Sequence, residues 1–70
     1  MYLADLLFRL PPDTFVRIKF DDFADPFCFT TGTRKTGEKV VELAHHGYGE
    51  AKVCAIYPLW HTQELYIQCA

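Results

Sequence analysis

The chain has 70 residues, 50% of them apolar and 23% charged, which is typical of one small folded domain spanning residues 1–70 and excludes a disordered segment. Seven basic and nine acidic residues give a net charge of −2, which excludes the positive footprint that binding to duplex nucleic acid requires. No apolar run approaches the roughly 20 residues that cross a bilayer, and Asp5 and Arg9 interrupt the N-terminal apolar stretch, so we expect no signal peptide, no membrane contact and a cytoplasmic location.

The first half of the chain predicts one helix and a pair of strands. Residues 15–20 alternate between apolar and basic side chains, as in a strand with one buried face. After an acidic loop at 21–26, residues 27–31 predict the returning strand, because they are aromatic, β-branched or small. The preceding helix is predicted by leucines at the spacing of one helical face and by the prolines that end it: Leu3, Leu6, Leu7, Leu10, Pro11 and Pro12.

The second half predicts a helix followed by another pair of strands. Thr36 is the expected cap of this helix, and the glycine just after it is typical of a helix end. The first strand of the pair is apolar on both alternating sets, which predicts a central strand buried on both faces. The predicted ranges are a polar, basic connection at 32–37, a helix at 38–44, a break at 45–49 and strands at 51–59 and 64–69.

The element order α-β-β-α-β-β predicts a two-layer α+β sandwich. Each helix precedes a hairpin, and the two hairpins are expected to form a four-stranded, mostly antiparallel sheet with both short helices on one face. The expected core consists of the apolar positions that face inward, namely Leu3, Leu6, Leu7, Val16, Ile18, Val40, Leu43, Val53, Ala55, Leu65 and Ile67.

Three cysteines form neither a C-x-x-C pair nor a disulfide framework. Cys28 and Cys54 are flanked by strand-forming residues and are expected to be buried, whereas Cys69 is expected to be the accessible thiol.

A domain below ~70–80 residues rarely obtains more than ~3–5 kcal/mol from a single core. Six Phe, four Tyr and one Trp carry more aromatic surface than so small an interior can cover. We therefore expect a homo-oligomer, a symmetric dimer in the simplest case, with some of these rings at the interface.

The basic connection is the candidate anion site. Gly32 and Gly37 have the spacing of a P-loop, but Glu38 occupies the lysine position, so that motif fails. A threonine-rich loop with two cations, opening onto a helix N-terminus, still offers hydroxyls, N–H groups and positive charge to a phosphate. The residues of this candidate site are Thr31, Thr33, Arg34, Lys35 and Thr36. The alternative is a solvated connection with two surface cations.

Tyr48, Tyr57 and Trp60 are the candidate stacking surface for a base. With Tyr66, they form the aromatic set whose alternative role is a protein interface, where Tyr and Trp are enriched.

Metal binding and catalysis have weak support in the sequence. His45, His46 and His61 match none of the recurrent zinc spacings. Cys54 with His61 would need a proximity that the sequence does not indicate. We therefore expect no metal, no cofactor and no enzymatic activity.

Two segments carry a resemblance to a known class of protein. Residues 6–18, LLFRLPPDTFVRI, and the tail VCAIYP at 53–58 followed by LYI at 65–67 resemble small uncharacterised bacteriophage and prophage accessory proteins. The resemblance implies a viral accessory protein acting in the host cytoplasm, without a mechanism.

These observations leave two functions open. One is an anti-defence protein that sequesters a phosphate-bearing, nucleotide-like ligand in an oligomeric pocket. The other is a protein–protein interaction module that blocks a host protein through its sheet face or edge.

Overall fold

The computed structural model describes residues 1–48 and 50–70, which form two helices and a four-stranded sheet. The α+β class and the element order are those predicted from the sequence. In chain order the elements are α1 (Leu3–Arg9), β1 (Phe15–Phe20), β2 (Phe27–Thr30), α2 (Thr33–His45), β3 (Val53–Leu59) and β4 (Glu64–Cys69). Within the described ranges, no helix has both the length and the apolar character needed to span a membrane.

The sheet has the strand order β2-β1-β4-β3. Each hairpin is antiparallel, and the two hairpins join through a parallel pairing of β1 with β4 in the centre. The expectation that residues 51–59 form a central strand is wrong, because β3 lies at an edge. Pro58 is compatible with that position, since proline lacks an N–H and is tolerated on edge strands.

The core lies between the helices and one face of the sheet, which we call the inner face. Both helices contribute leucines to it, and β1 and β4 contribute alternate residues that are fully buried. Most of the predicted core is confirmed, whereas Val40, Val53, Ala55 and Leu65 are only half-buried. The buried residues are Leu3, Leu6, Leu7, Val16, Ile18, Phe20, Leu43, Ile67 and Cys69.

Helix α2 begins earlier than the sequence predicts. Its N-cap is Gly32 rather than Thr36, and residues 33–37 form its first turns instead of a connection. Thr36 lies inside the helix, where its N–H donates to the Gly32 carbonyl at 2.7 Å. Thr36, Val40 and Leu43 follow the i, i+4, i+7 spacing and turn toward the core, so tertiary burial overrides the weak helix propensity of this segment.

The burial of the cysteines is the reverse of the prediction. Cys28 and Cys54 are exposed, and Cys69 is completely buried. Cys28 lies on the side of β2 that faces away from the helices, beside Arg17, because Arg17 alternates with the buried residues of β1. Cys69 points inward from β4, and burial, with smaller contributions from Cys54 and Asp21, raises the pKa of its thiol from 9.0 to about 11.

Candidate binding surface

The face of the sheet that points away from the helices is the outer face. Within residues 1–48 and 50–70, no helix covers it. Because side chains alternate along a strand, its members are the residues out of phase with the buried ones. They are Cys28 and Thr30 of β2, Phe15, Arg17 and Lys19 of β1, Glu64, Tyr66 and Gln68 of β4, and Ala55, Tyr57 and Leu59 of β3.

An ion pair crosses the centre of the outer face. Arg17 Nε lies 3.1 Å from Glu64 Oε2, and Arg17 Nη2 donates to Glu64 Oε1 at 3.4 Å. The Arg17 side chain is 40% exposed and that of Glu64 is 13% exposed. Among the described residues, the buried Nε–H has no acceptor aligned for a hydrogen bond. The two side chains neutralise each other's charge at the centre of the face, and the Arg17 Nε–H is left without a hydrogen bond.

Aromatic and apolar side chains lie on the β3–β4 side of this face. The rings of Tyr57 and Tyr66 are directly opposite each other, with centroids 6.1 Å apart. Tyr57 is 54% exposed, and Trp60, in the turn after β3, is 81% exposed. Leu59 is also exposed. We call Tyr57, Leu59, Trp60 and Tyr66 the hairpin surface.

A groove of about 510 Å³ adjoins the hairpin surface at the end of the sheet. Its lining is mostly uncharged, and residues 53–63 contain no Asp, Glu, Lys or Arg. The groove is lined by Thr14, Pro58, Leu59, Trp60, Gln63, Glu64 and Leu65.

Two of the five predicted anion contacts have structural partners instead. The Thr31 hydroxyl donates to the Pro11 carbonyl at 2.7 Å and accepts from the Thr14 N–H at 2.9 Å. The Thr36 hydroxyl accepts from the Gly32 N–H at 3.3 Å. Both threonines are buried, so these hydroxyls hold the turn before β1 and the N-terminus of α2 rather than face solvent.

The other three predicted anion contacts, Thr33, Arg34 and Lys35, are exposed on the first turn of α2. Arg34 Nε lies 3.1 Å from Glu38 Oε1, with both side chains largely in solvent. The cavity beside this turn has about 80 Å³ and is lined in part by Gly32 and Thr33. Ligand pockets usually have about 300–1,000 Å³, so this cavity is too small to enclose a nucleotide.

The three predicted stacking residues do not come together. Tyr48 stacks on Phe20, with centroids 4.0 Å apart, and contacts Phe23 and Phe27 at the edge. This aromatic cluster lies where β1 ends, whereas Tyr57 and Trp60 lie near the start of β1. The α2 N-terminus is at the same end as Trp60, because Thr31 bonds to Thr14 and Thr14 lines the Trp60 groove.

The predicted site residues did not include Leu59 or Ile56, which are 38% and 43% exposed. Both lie in the apolar run 51–59, which predicts a buried central strand. The available signal was Pro58 between them, since a proline within an apolar strand favours an edge position.

Across residues 1–48 and 50–70, no three His, Cys, Asp or Glu side chains are grouped so that they could hold a metal ion. No protein-family model matches the chain, and comparisons with curated proteins and with solved structures find no significant match.

Proposed function

We propose that this chain is a non-enzymatic accessory protein that blocks another protein by binding it through the hairpin surface. The observation that carries the proposal is the exposure of Tyr57, Leu59 and Trp60 beside the groove on a sheet face that no described helix covers. Tyr and Trp are enriched in the buried centres of protein interfaces and depleted charge is typical there, which matches the uncharged stretch 53–63.

The geometry also suits a partner of macromolecular size. Sheet residues present these side chains from a rigid backbone, so little conformational entropy is lost when a partner covers them. Trp60, in the turn after β3, is the expected anchor, and Leu59 lines the same groove beside it. Arg17 and Glu64 supply a polar border whose charges already balance.

The resemblance of residues 6–18, 53–58 and 65–67 to phage accessory proteins supports a host protein as the partner. In that setting the chain acts in the host cytoplasm against a defence component, and stoichiometric blocking needs no turnover.

One observation favours a second function, the capture of a phosphate-bearing, nucleotide-like ligand. Arg34 and Lys35 lie at the same end of the sheet as the Trp60 groove, and Thr14 links the two regions. An anion on the first turn of α2 and a base on Trp60 would then belong to one ligand held between subunits.

The experiment compares two double variants as immobilised baits in a bacterial lysate. Trp60→Ala with Tyr57→Ala removes the hairpin surface, and Arg34→Ala with Lys35→Ala removes the cations. We expect the same protein, identified by mass spectrometry, on wild type and on the cation variant, and its loss from the hairpin variant. Circular dichroism checks that both variants fold.

A thermal-shift screen with mono-, di- and cyclic nucleotides separates the two functions. A ligand that binds only the folded state at a hundredfold excess over its Kd adds about 2.7 kcal/mol of stability. Protein blocking predicts no nucleotide shift. A shift that disappears in the Arg34→Ala, Lys35→Ala variant would replace protein blocking with ligand capture.

A further inference from the structure

The edge strand β3 has the side chains of a strand that is buried on both faces. Ile56 lies on the inner face opposite Ile67, and Tyr57 lies on the outer face opposite Tyr66. They are 43% and 54% exposed, so neither face of β3 is covered. A long, apolar edge strand without charges is a template for pairing with another strand.

The opposite edge of the sheet is protected. Strand β2 has four residues, and the loop before it contains Asp21, Asp22, Asp25 and Pro26. Charge close to an edge strand is a usual means by which the strand avoids pairing, and residues 53–59 carry none. A second copy of a chain with net charge −2 meets like charges at β2 and none at β3.

The free part of the β3 edge has definite ends. Tyr2 forms a bridge with Lys52, and the Val53 N–H donates to the Met1 carbonyl at 2.9 Å, so the N-terminal segment occupies the edge as far as Val53. At the other end, Pro58 has no N–H to donate. The middle of the stretch 54–58 is Ile56.

We propose that β3 pairs with β3 of a second copy, antiparallel and about a two-fold axis at Ile56, to form a continuous eight-stranded sheet. The symmetry places Ile56 opposite Ile56 of the second copy and Ala55 opposite Tyr57, with each pair on one face of the sheet. A charged strand would oppose its own charges in this arrangement, whereas this one contains none.

A stable pair sets a minimum for the area that each copy has to bury. A biological interface buries at least about 1,000 Å² in total, or roughly 500 Å² from each partner. That is about a tenth of the 4748 Å² accessible surface of the chain. The pairing also covers Ile56 on the inner face, which the helices leave exposed.

The first test measures molar mass by light scattering at micromolar concentration. We expect twice the chain mass of 8.1 kDa for wild type and for Val41→Lys, and the chain mass alone for Ile56→Lys. Val41 is the matched control because it is also β-branched and is 57% exposed, but lies on α2. A monomeric wild type, or a dimeric Ile56→Lys, would overturn the proposal.

The second test does not depend on a disruptive substitution. With the exposed thiols removed as Cys28→Ser and Cys54→Ser, Ile56→Cys is oxidised by diamide, which accepts the two electrons and two protons released as the disulfide forms. Directly opposed residues of antiparallel strands have Cα atoms about 4.5–5.5 Å apart, within the range that a disulfide spans. We expect a covalent dimer with Ile56→Cys and little with Val41→Cys. Equal cross-linking of the two variants contradicts pairing at β3.

The experiments distinguish failure of the β3 pairing from failure of the proposed blocking function. Ile56→Lys leaves Trp60 and Tyr66 in place, so loss of the dimer with retained partner capture rejects only a role for the dimer in blocking.

Discussion

The hydroxyl of Thr31 joins the turn before β1 to the end of β2. It donates to the Pro11 carbonyl, and it accepts from the Thr14 N–H, while the backbone of Thr31 also bonds to Asp13 and Thr14. From sequence alone, a threonine hydroxyl that stabilises the fold cannot be distinguished from one that binds a ligand, because both form the same hydrogen bonds.

Thr31→Val therefore lowers the free energy of unfolding. The valine keeps the volume but leaves the Thr14 N–H without a partner, which costs about 1–3 kcal/mol for a buried unsatisfied group. The Pro11 carbonyl keeps its hydrogen bond from the Thr14 hydroxyl. Urea unfolding followed by circular dichroism measures the loss. The exposed Thr33→Val is the control and stays close to wild type. A neutral Thr31→Val would show that these hydrogen bonds do not stabilise the fold.

Burial of Cys69 makes the free energy of unfolding fall as the pH rises in the alkaline range. The thiol keeps its proton to about pH 11 in the folded chain, whereas in the unfolded chain it loses the proton at about its usual pKa of 9.0. Unfolding therefore releases a proton between these values, and stability is full below pH 9 and falls as the pH rises. The loss reaches about 2–3 kcal/mol near pH 11, at 1.36 kcal/mol for each unit of pKa.

Urea midpoints at several pH values check this dependence. Cys69→Ala is less stable at neutral pH because a buried group is lost, but its stability declines less between pH 9 and 11. The two proteins differ only at residue 69, so the difference between the two curves isolates the thiol. Parallel curves would contradict the pKa shift.

At the scale of elements, Gly37 lowers the stability of α2. The residue lies in the interior of the helix, and a Cβ added there would meet nothing within 4 Å. Gly37→Ala is expected to raise stability by about 0.5–1 kcal/mol, since glycine loses more backbone entropy than alanine in a helix. That gain corresponds to a rise in Tm of a few degrees for a domain of this size.

Gly47 supplies the opposite control. It follows the helix at φ 84°, a left-handed conformation that disfavours a side chain. Gly47→Ala lowers Tm by calorimetry although its Cβ also meets nothing within 4 Å. A rise in both variants would mean that backbone conformation does not decide their stability.

The same elements show how far sequence reasoning reaches. Local periodicity predicts β1 and β4 with their observed bounds, because apolar and polar side chains alternate along residues 15–20 and 64–69 as buried and less buried positions do in the structure. It misplaces the start of α2, since the inward turn of Thr36 depends on packing against α1 rather than on propensity. The strand order is set by the β1–β4 pairing, which no local signal reports.

The candidate surface was predicted in part for the same reason. Tyr57 and Trp60 stand out by residue type, and both are exposed. Tyr48 also stands out by residue type, but it packs on Phe20, which is far away in the sequence. Residue type identifies side chains able to bind, whereas burial, which depends on long-range contacts, decides which of them are free.

At the scale of the molecule, two paired isoleucines show how burial differs between the centre and the edge of the sheet. Ile56 and Ile67 are opposite each other in β3 and β4, yet Ile67 is completely buried and Ile56 is 43% exposed. Ile67→Ala is expected to cost about 2–5 kcal/mol, comparable to the whole stability that a core of this size supplies. We therefore expect Ile67→Ala to be largely unfolded at room temperature.

Ile56→Ala, measured below the concentration at which copies associate, is expected to cost far less. The comparison uses near-ultraviolet circular dichroism and urea unfolding of both variants. Similar losses would mean that β3 carries as much of the fold as the central strands.

The parallel pairing of β1 with β4 also sets the order in which the nascent chain can fold. Arg17 and Glu64, which bridge these strands, are 47 positions apart, so β1 is synthesised well before its central neighbour. Until then Val16 and Ile18 have β2 on one side and an unpaired backbone on the other. Contacts this distant in sequence form slowly and late. The fourth strand in chain order thus completes the middle of the sheet, and β1 has an unpaired edge in any folding intermediate in which β4 is not yet in place.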